Sequence, residues 1–328
     1  MNGNNNAVPN VTAAKLQTQK GEITMKKQAL VAVLTIISAG IIAGCGGGGG
    51  TTADNSTTSI AGKVADGYLV DATVFLDKNR NYQLDAGEPF AITDSNGAYL
   101  LTVDPADVGK YPIVAVATKG VTIDKDTNVP VTSTYVLSMH AVAVTATTGG
   151  VSGTVSNFIS PMSSQLRELM ETGNYATMQD AMSALRTKLG LPAGIDMMDD
   201  YIAAHNTTMH TAAQNMAGLM GSQMALVLST NGSTTTVDVN RYRGMMGAIY
   251  SNIPSIMGTG PTTQTAMTNL MGTMMTNLPN ITPGQPPQNT STAFQGGMMW
   301  GTTGGTMGGT TTPTSTGVGM GTSTGGMM

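Results

Sequence analysis

The apolar residues of this 328-residue chain change their spacing near Gly149 and Gly150, and this change limits the fold more than any other feature. Before it, from residue 59 to about residue 147, apolar residues stand in short β-branched runs between turn residues, a pattern typical of strands. After it they recur at helical spacing as far as residue 278. The sequence therefore predicts an α+β chain, with a β domain at residues 59–148 and a helical domain at residues 149–278.

In the first half, apolar runs predict strands at residues 72–76, 98–103 and 111–117. The segment from Asp94 to Gly97 predicts a turn between two of them, because Asn-Gly readily adopts positive φ. Short strands separated by turns at close intervals are typical of an antiparallel β-sandwich. We therefore expect a small sandwich at residues 59–148.

In the second half, apolar stripes predict a domain of five or six helices, at residues 163–171, 177–189, 196–204, 208–228, 237–257 and 262–278. Thr177 is placed to cap the second helix, and Gly190 and Pro192 end it. Asp196 and its neighbours Asp199 and Asp200 would lie near the start of the third helix, where carboxylates suit the positive end of the helix dipole.

Residues 25–50 have the organisation of an export signal. Lys26 and Lys27 form a positive start, residues 28–41 form an apolar core too short to span a bilayer, and small residues follow. The preceding 24 residues are polar, and Met25 already begins a typical signal, so we expect translation to start there. Residues 1–44 are therefore predicted to be removed from the mature protein.

The four residues from Ile42 to Cys45 resemble the bacterial lipobox, which has an aliphatic residue, two small residues and a cysteine. The resemblance implies that Cys45, the only cysteine in the chain, is acylated and becomes the mature N-terminus. Residues 45–58 are rich in Gly, Thr and Ser and predict a flexible linker. We therefore expect a protein anchored by lipid to a bacterial cell envelope, in the outer membrane if the host is diderm, with no later transmembrane helix.

The β domain carries three short motifs in a recognisable order. Residues 62–77 begin with Gly-Lys-Val-Ala-Asp-Gly and end with Ala-Thr-Val-Phe-Leu-Asp, and residues 93–99 read Thr-Asp-Ser-Asn-Gly-Ala-Tyr. This series resembles carboxypeptidase-regulatory-like (transthyretin-like) domains and the B-repeats of bacterial surface adhesins. The resemblance implies an immunoglobulin-like sandwich and a structural or binding role, not catalysis.

Within this domain, oxygen-bearing residues alternate along a twelve-residue segment. It resembles the EF-hand calcium loop, whose ligands stand at positions 1, 3, 5, 7, 9 and 12, with the backbone carbonyl used at position 7. Hard Ca²⁺ takes six to eight oxygen ligands, and this alternation turns them toward one centre. The resemblance implies the calcium ligands Asp77, Asn79, Asn81, Gln83, Asp85 and Glu88.

The segment departs from the EF-hand pattern in three ways. Tyr82 stands at position 6, where the family has Gly, and Lys78 and Arg80 offset part of the negative charge. The flanks predict strands rather than helices, and Pro89 follows the segment directly. We therefore interpret it as a calcium loop between strands. The alternative is a solvated Asx-rich hairpin loop that holds no metal.

Charge and motif content argue against two other classes of function. Residues 45–328 carry 11 basic and 18 acidic residues, a net charge of −7, which disfavours binding to nucleic acid. His205 and His210 are five residues apart with no Glu between them, so they do not form the helical pair of a zinc protease. His140 is remote from both, and we find no nucleophile elbow, phosphate loop or cysteine nucleophile. The sequence therefore predicts a protein that is not an enzyme.

The last 50 residues, 279–328, are rich in Gly, Thr, Pro and Met and predict a disordered tail. Half of the 26 methionines lie between residues 244 and 328. Because thioethers prefer Cu(I), an alternative function is the handling of a soft metal such as copper. Methionine can also serve as pliable filler of a hydrophobic core.

Together these features predict a lipid-anchored, non-enzymatic envelope protein that presents a calcium-stabilised β-sandwich and a helical domain to a protein or glycan partner. The alternative is a methionine-rich lipoprotein that handles copper.

Replacing Cys45 with Ser should abolish membrane attachment, because the serine hydroxyl does not replace the acylated thiol. Fractionation of the cells should move the protein out of the membrane fraction, and mass spectrometry of the wild-type chain should find an acylated Cys45 at its N-terminus. An unmodified thiol with residues 25–44 still attached would contradict the prediction.

Overall fold

The computed structural model describes residues 56–147, 157–231 and 234–281, and these residues form twelve strands and five α-helices. The predicted export signal, Cys45, most of the predicted linker and all of the predicted tail beyond Ile281 lie outside the described residues. The described residues all belong to one compact unit.

The strands form four sheets, with neighbouring strands antiparallel in every pair except β1 and β10. The largest has the order β4-β3-β6-β9, a second has the order β10-β1-β5, a third is β2-β7-β8, and β11 and β12 form a hairpin. The strands are β1 (Thr58–Val64), β2 (Leu69–Val70), β3 (Thr73–Leu76), β4 (Phe90–Ile92), β5 (Ala98–Val103), β6 (Ile113–Ala117), β7 (Ile123–Asp124), β8 (Val129–Pro130), β9 (Tyr135–Met139), β10 (Asn157–Ile159), β11 (Leu228–Asn231) and β12 (Thr234–Val237).

The burial of each strand follows from what covers it. Along β5, buried residues alternate with more exposed ones, as expected for a strand with one wet face. In contrast, all five residues of β9 are buried, because helices lie against this strand as well as its neighbour β6. The predicted strands at 72–76, 98–103 and 111–117 correspond to β3, β5 and β6.

The predicted turn from Asp94 to Gly97 is confirmed. Gly97 has a φ of +70°, and the Asp94 carboxylate accepts hydrogen bonds from the backbone N–H of Asn96 and Ala98, at 2.7 and 3.0 Å. The turn joins β4 to β5, which belong to different sheets, so the chain crosses from one sheet to the other here.

The five helices are α1 (Pro161–Glu171), α2 (Met178–Lys188), α3 (Thr207–Val227), α4 (Val239–Ile256) and α5 (Pro261–Asn277). Ser160 and Ser163 form a reciprocal capping box at the start of α1, and Thr177 caps α2 as predicted. Among the described residues, no helix combines the length and the apolarity needed to cross a membrane.

The predicted helix at residues 196–204 is wrong, since this segment forms turns. The carboxylates of Asp196 and Asp200 form hydrogen bonds within turns and to distant residues, and they do not stabilise the start of a helix. Asp200 accepts hydrogen bonds from the Tyr68 hydroxyl at 2.7 Å and from the Lys63 ammonium at 3.2 Å, which ties the segment to β1 and β2. Asp196 accepts a hydrogen bond from the Met198 N–H at 2.9 Å.

The sheets and the helices share one hydrophobic core among the described residues. β10 follows the predicted domain boundary, yet it pairs in parallel with β1 and leads directly into α1. The buried side chain of Asn157 donates hydrogen bonds to the carbonyl oxygens of Ala61 and Thr145, both at 2.9 Å. The predicted boundary between residues 148 and 149 therefore does not separate two cores.

A buried carboxylate lies at the turn between β1 and β2. Asp66 accepts a hydrogen bond from the Tyr135 hydroxyl at 2.8 Å, and burial raises its pKa to about 7, with smaller contributions from Asp124 and Asp126. The next residue is Gly67, and a Cβ there would lie 2.4 Å from the Asp124 Oδ1 atom, so a larger residue would displace the Asp124 side chain.

Asp66 should make stability depend on pH. Its folded-state pKa of about 7 lies above its ordinary value of 3.8, so between these values the folded chain holds a proton that the unfolded chain has released. The contribution of Asp66 to stability is therefore greatest below about pH 4 and falls by about 4 kcal/mol as the pH rises to about 7.

The substitution Asp66→Asn, which removes the ionisation, should flatten this dependence in urea unfolding measured across the range. The control Asp71→Asn, at an exposed residue, should keep the wild-type slope. Equal slopes for the two variants would contradict the assignment.

Candidate metal site

Residues 77–88 form the connection of a β-hairpin, between the paired strands β3 and β4. Asp77 is fully buried at the start of the loop and Glu88 is buried at its end, whereas Asn79 and Asp85 are exposed. The loop therefore has one side in the core and one side facing solvent.

The structure brings the middle predicted ligands together. The Asp85 carboxylate accepts hydrogen bonds from the side-chain amides of Asn79 and Asn81, at 2.6 and 2.7 Å. The Asn79 and Asn81 side-chain oxygens accept hydrogen bonds from the backbone N–H of Asn81 and Gln83, at 3.2 and 2.8 Å. These contacts curl the loop around Asp85.

The first and last predicted ligands close the loop. The Asp77 Oδ1 atom accepts a hydrogen bond from the Asn81 N–H at 2.9 Å. The two oxygens of Glu88 accept hydrogen bonds from the backbone N–H of Lys78 at 2.7 Å and of Asp85 at 3.0 Å. Both carboxylates therefore point their oxygens into the loop, at the same positions where an EF-hand loop holds its first and last ligands.

Carboxylates alone do not make a metal site here. Within the described residues, no group of three or more Asp, Glu, His or Cys has a geometry that could hold a metal ion. A calcium ion in this loop would need amide and backbone carbonyl oxygens beside the carboxylates, as it does in EF-hand loops. The oxygens of the Asn79 and Asn81 amides now accept backbone N–H groups, so these two side chains would have to exchange those hydrogen bonds for contacts with the metal.

Tyr82 stands at position 6 of the loop, where the EF-hand pattern has Gly, and its buried side chain supports the backbone conformation there. Its φ is +63°, the left-handed conformation for which EF-hand loops use Gly. The side chain is buried: its hydroxyl donates a hydrogen bond to Glu168 on α1, and its ring centroid lies 4.5 Å from that of Tyr242 on α4. The loop thus keeps the backbone conformation and uses the side chain as an anchor.

A fully buried guanidinium lies beneath the loop. Arg167 on α1 contacts the Asp77 carboxylate at 3.1 Å and the Glu171 carboxylate at 2.9 Å, and it stacks 3.9 Å from the Tyr82 ring centroid. Burial opposes its charge, but Tyr82 and these carboxylates outweigh burial and raise its pKa above the ordinary value. A calcium ion would therefore share Asp77 with Arg167.

Further charges extend this cluster toward α4. Arg243 donates a hydrogen bond to Glu171 at 2.9 Å, and its Nε atom forms an ion pair with Glu168 at 3.4 Å that lacks hydrogen-bond geometry. Burial raises the pKa of Glu168. Burial alone would also raise the pKa of Glu171, but Arg167 and Arg243 outweigh it and lower that pKa. Arg80, in the loop, lies 3.7 Å from Glu171.

Sequence reasoning missed this cluster. Arg167 and Asp77 are 90 residues apart, and no spacing in the sequence connects them. The available signal is weak: α1 carries Arg167, Glu168 and Glu171 in a chain in which only 10% of the residues are charged.

The contacts of the three histidines differ. His140 accepts a hydrogen bond from the Val142 N–H, and burial lowers its pKa. His210 lies 2.6 Å from the Asp126 carboxylate. His205 adopts a φ of +52° in the turn before α3.

Many of the described methionines belong to the hydrophobic core. Fully buried examples on the helices are Met162, Met216, Met220, Met245, Met246 and Met274. This use agrees with methionine as pliable core filler. The methionines beyond Ile281, on which the copper alternative depends, lie outside the described residues.

Comparison with known proteins identifies no relative: no protein-family model, no curated protein and no solved structure matches the chain.

Replacing Tyr82 tests its role as an anchor. Tyr82→Phe removes the donor to the buried Glu168 and should cost about 1–3 kcal/mol in the free energy of unfolding. Tyr82→Gly also removes the ring, which should lower the free energy of unfolding by about 3–5 kcal/mol. Glycine adopts positive φ more easily than tyrosine, and this should restore roughly 1 kcal/mol of that loss.

Urea unfolding of both variants measures these differences. The control Tyr175→Phe alters a half-buried tyrosine whose hydroxyl lies 3.5 Å from that of Tyr250, and it should change stability little. A Tyr82→Gly protein as stable as Tyr82→Phe would show that the loop needs only the backbone conformation.

Proposed function

We propose that this chain is a lipid-anchored, non-enzymatic protein of the bacterial cell envelope, and that its loop at residues 77–88 binds calcium. In this proposal the β4-β3-β6-β9 and β10-β1-β5 sheets are the two layers of an immunoglobulin-like sandwich. The packed sheets and helices present an outward surface to a protein or glycan partner, and the lipid on Cys45 holds the whole at the membrane.

One observation carries the calcium proposal: position 6 of the loop has the left-handed conformation of an EF-hand loop although the residue there is tyrosine. A non-glycine residue rarely adopts this conformation without support, and here the buried Tyr82 hydroxyl and ring supply the support. The oxygens of Asp77 and Glu88 close the loop, and Asp85 lies between the amides of Asn79 and Asn81.

The charges around the loop favour weak binding. The loop contributes three carboxylates, and Asp77 is already paired with Arg167, while Arg80 and Lys78 add positive charge nearby. We expect a dissociation constant on the order of 10⁻⁴ to 10⁻³ M, the extracellular end of the range for such loops. Calcium of this affinity would stabilise the fold rather than carry a signal.

Chelation should lower the melting temperature of the full exported chain. At about 1 mM calcium and the expected affinity, binding adds about 0.4–1.4 kcal/mol, so removal by EDTA should lower the melting temperature by about 1–5 °C. Asp85→Asn should lose most of this shift, because Asp85 lies at the centre of the loop contacts.

The matched control is Asp199→Asn, which removes an exposed carboxylate from another part of the chain and should keep the full shift. Metal analysis of the exported protein should find calcium. An unchanged melting temperature on chelation would remove the calcium site from the proposal, and copper in place of calcium would favour the methionine-rich alternative.

A further inference from the structure

A cavity of about 220 Å³ lies where α1, α2 and α4 meet, on the helical side of the charge cluster. α1 lines it with Glu168 and Leu169, the segment after α1 adds Tyr175, and Lys188 lies at the end of α2. Arg243 and Tyr250 of α4 complete the wall. The cavity is therefore bounded by charged, aromatic and aliphatic side chains from three helices.

The charges around the cavity leave one cation without a partner. The ion pairs beside the cavity join the exposed guanidinium of Arg80 and the buried guanidiniums of Arg167 and Arg243 to three carboxylates, those of Asp77, Glu168 and Glu171. Lys188 adds a further positive charge, and its ammonium pairs with no carboxylate in the described part of the chain. Its contact is with the Tyr250 ring, 5.3 Å from the centroid.

The one acidic residue in the wall is already engaged. Glu168 accepts the Tyr82 hydrogen bond on one oxygen and faces Arg243 at 3.4 Å with the other. The wall therefore favours an anionic ligand group over a cationic one.

The part of the wall formed by Leu169 and the two tyrosines suits a flat apolar body, and Gln165, Thr172 and Asn174 add polar groups beside it. Tyr175 and Tyr250 place their hydroxyls 3.5 Å apart, and Leu169 contributes an aliphatic surface. A dry cavity of about 150 Å³ already accommodates benzene, so the volume here is sufficient for one small ring.

We propose that this cavity binds a small organic carboxylate with a flat apolar body. The carboxylate pairs with the Lys188 ammonium and lies within the positive field of Arg243, and the ring packs between Leu169 and the two tyrosines. None of the predicted calcium ligands lines this cavity.

Isothermal titration calorimetry of the full exported chain tests the proposal with three probes that share a benzene ring and differ in charge: benzoate, benzamide and benzylamine. Benzoate should bind, and the neutral and cationic probes should bind at least about tenfold more weakly, the ratio that corresponds to about 1.4 kcal/mol. Lys188→Gln should weaken benzoate about tenfold, and Lys188→Arg should restore most of the affinity.

The control Lys119→Gln makes the same charge change at an exposed residue and should leave benzoate binding unchanged. Thermal unfolding of each variant confirms that it folds. Failure of benzoate to bind, equal affinity for benzylamine, or equal effects of Lys188→Gln and Lys119→Gln would each overturn the proposal.

Discussion

The fully buried guanidinium of Arg167 joins the sheets to the helices, because a charge withdrawn from water needs charged partners close to it. Its partners come from two parts of the fold: Asp77 follows β3, and Glu171 lies one turn further along α1. The Tyr82 ring covers one face of the guanidinium. Removing one partner of such a group leaves an uncompensated buried charge and costs about 3–5 kcal/mol. The hairpin, its loop and α1 are therefore bound into one cooperative unit.

This arrangement determines what the proposed calcium site would do in the fold. An ordinary EF-hand loop is shaped by glycine at position 6 and by the metal, whereas here the loop is shaped from below by Tyr82 and by the carboxylate that it shares with Arg167. The buried contacts of Tyr82 and Asp77 therefore fix the conformation of the loop. A metal bound on the outer side of the loop would strengthen contacts that reach α1 and α4. Because binding to the folded state alone stabilises it, calcium would act on the sheets and the helices together.

Local signals in the sequence were sufficient for much of the fold and for little of the site. The strand at residues 98–103 and the cap at Thr177 are decided by near neighbours, so alternation and capping chemistry predict them. The segment at 196–204 fails as a helix because Asp200 pairs with Lys63, which is 137 residues away. β10 has only three residues and shows no alternation of its own, and the pairing of Asp77 with Arg167 depends on the finished tertiary structure.

The helices pack against one another through apolar side chains in one region and through ion pairs in another. Most of the core between α3, α4 and α5 is built from methionine, alanine and other apolar side chains, which adapt to irregular spaces. Where α1 faces α4, the carboxylates of Glu168 and Glu171 on α1 instead form ion pairs with the guanidinium of Arg243 on α4, and these pairs fix both distance and orientation. Inward movement of Arg243 to close the cavity beside this face would take its guanidinium away from Glu171 and leave a buried carboxylate without that cation. On this side the cavity therefore persists because Arg243 and Glu168 are held in place by their ion pairs.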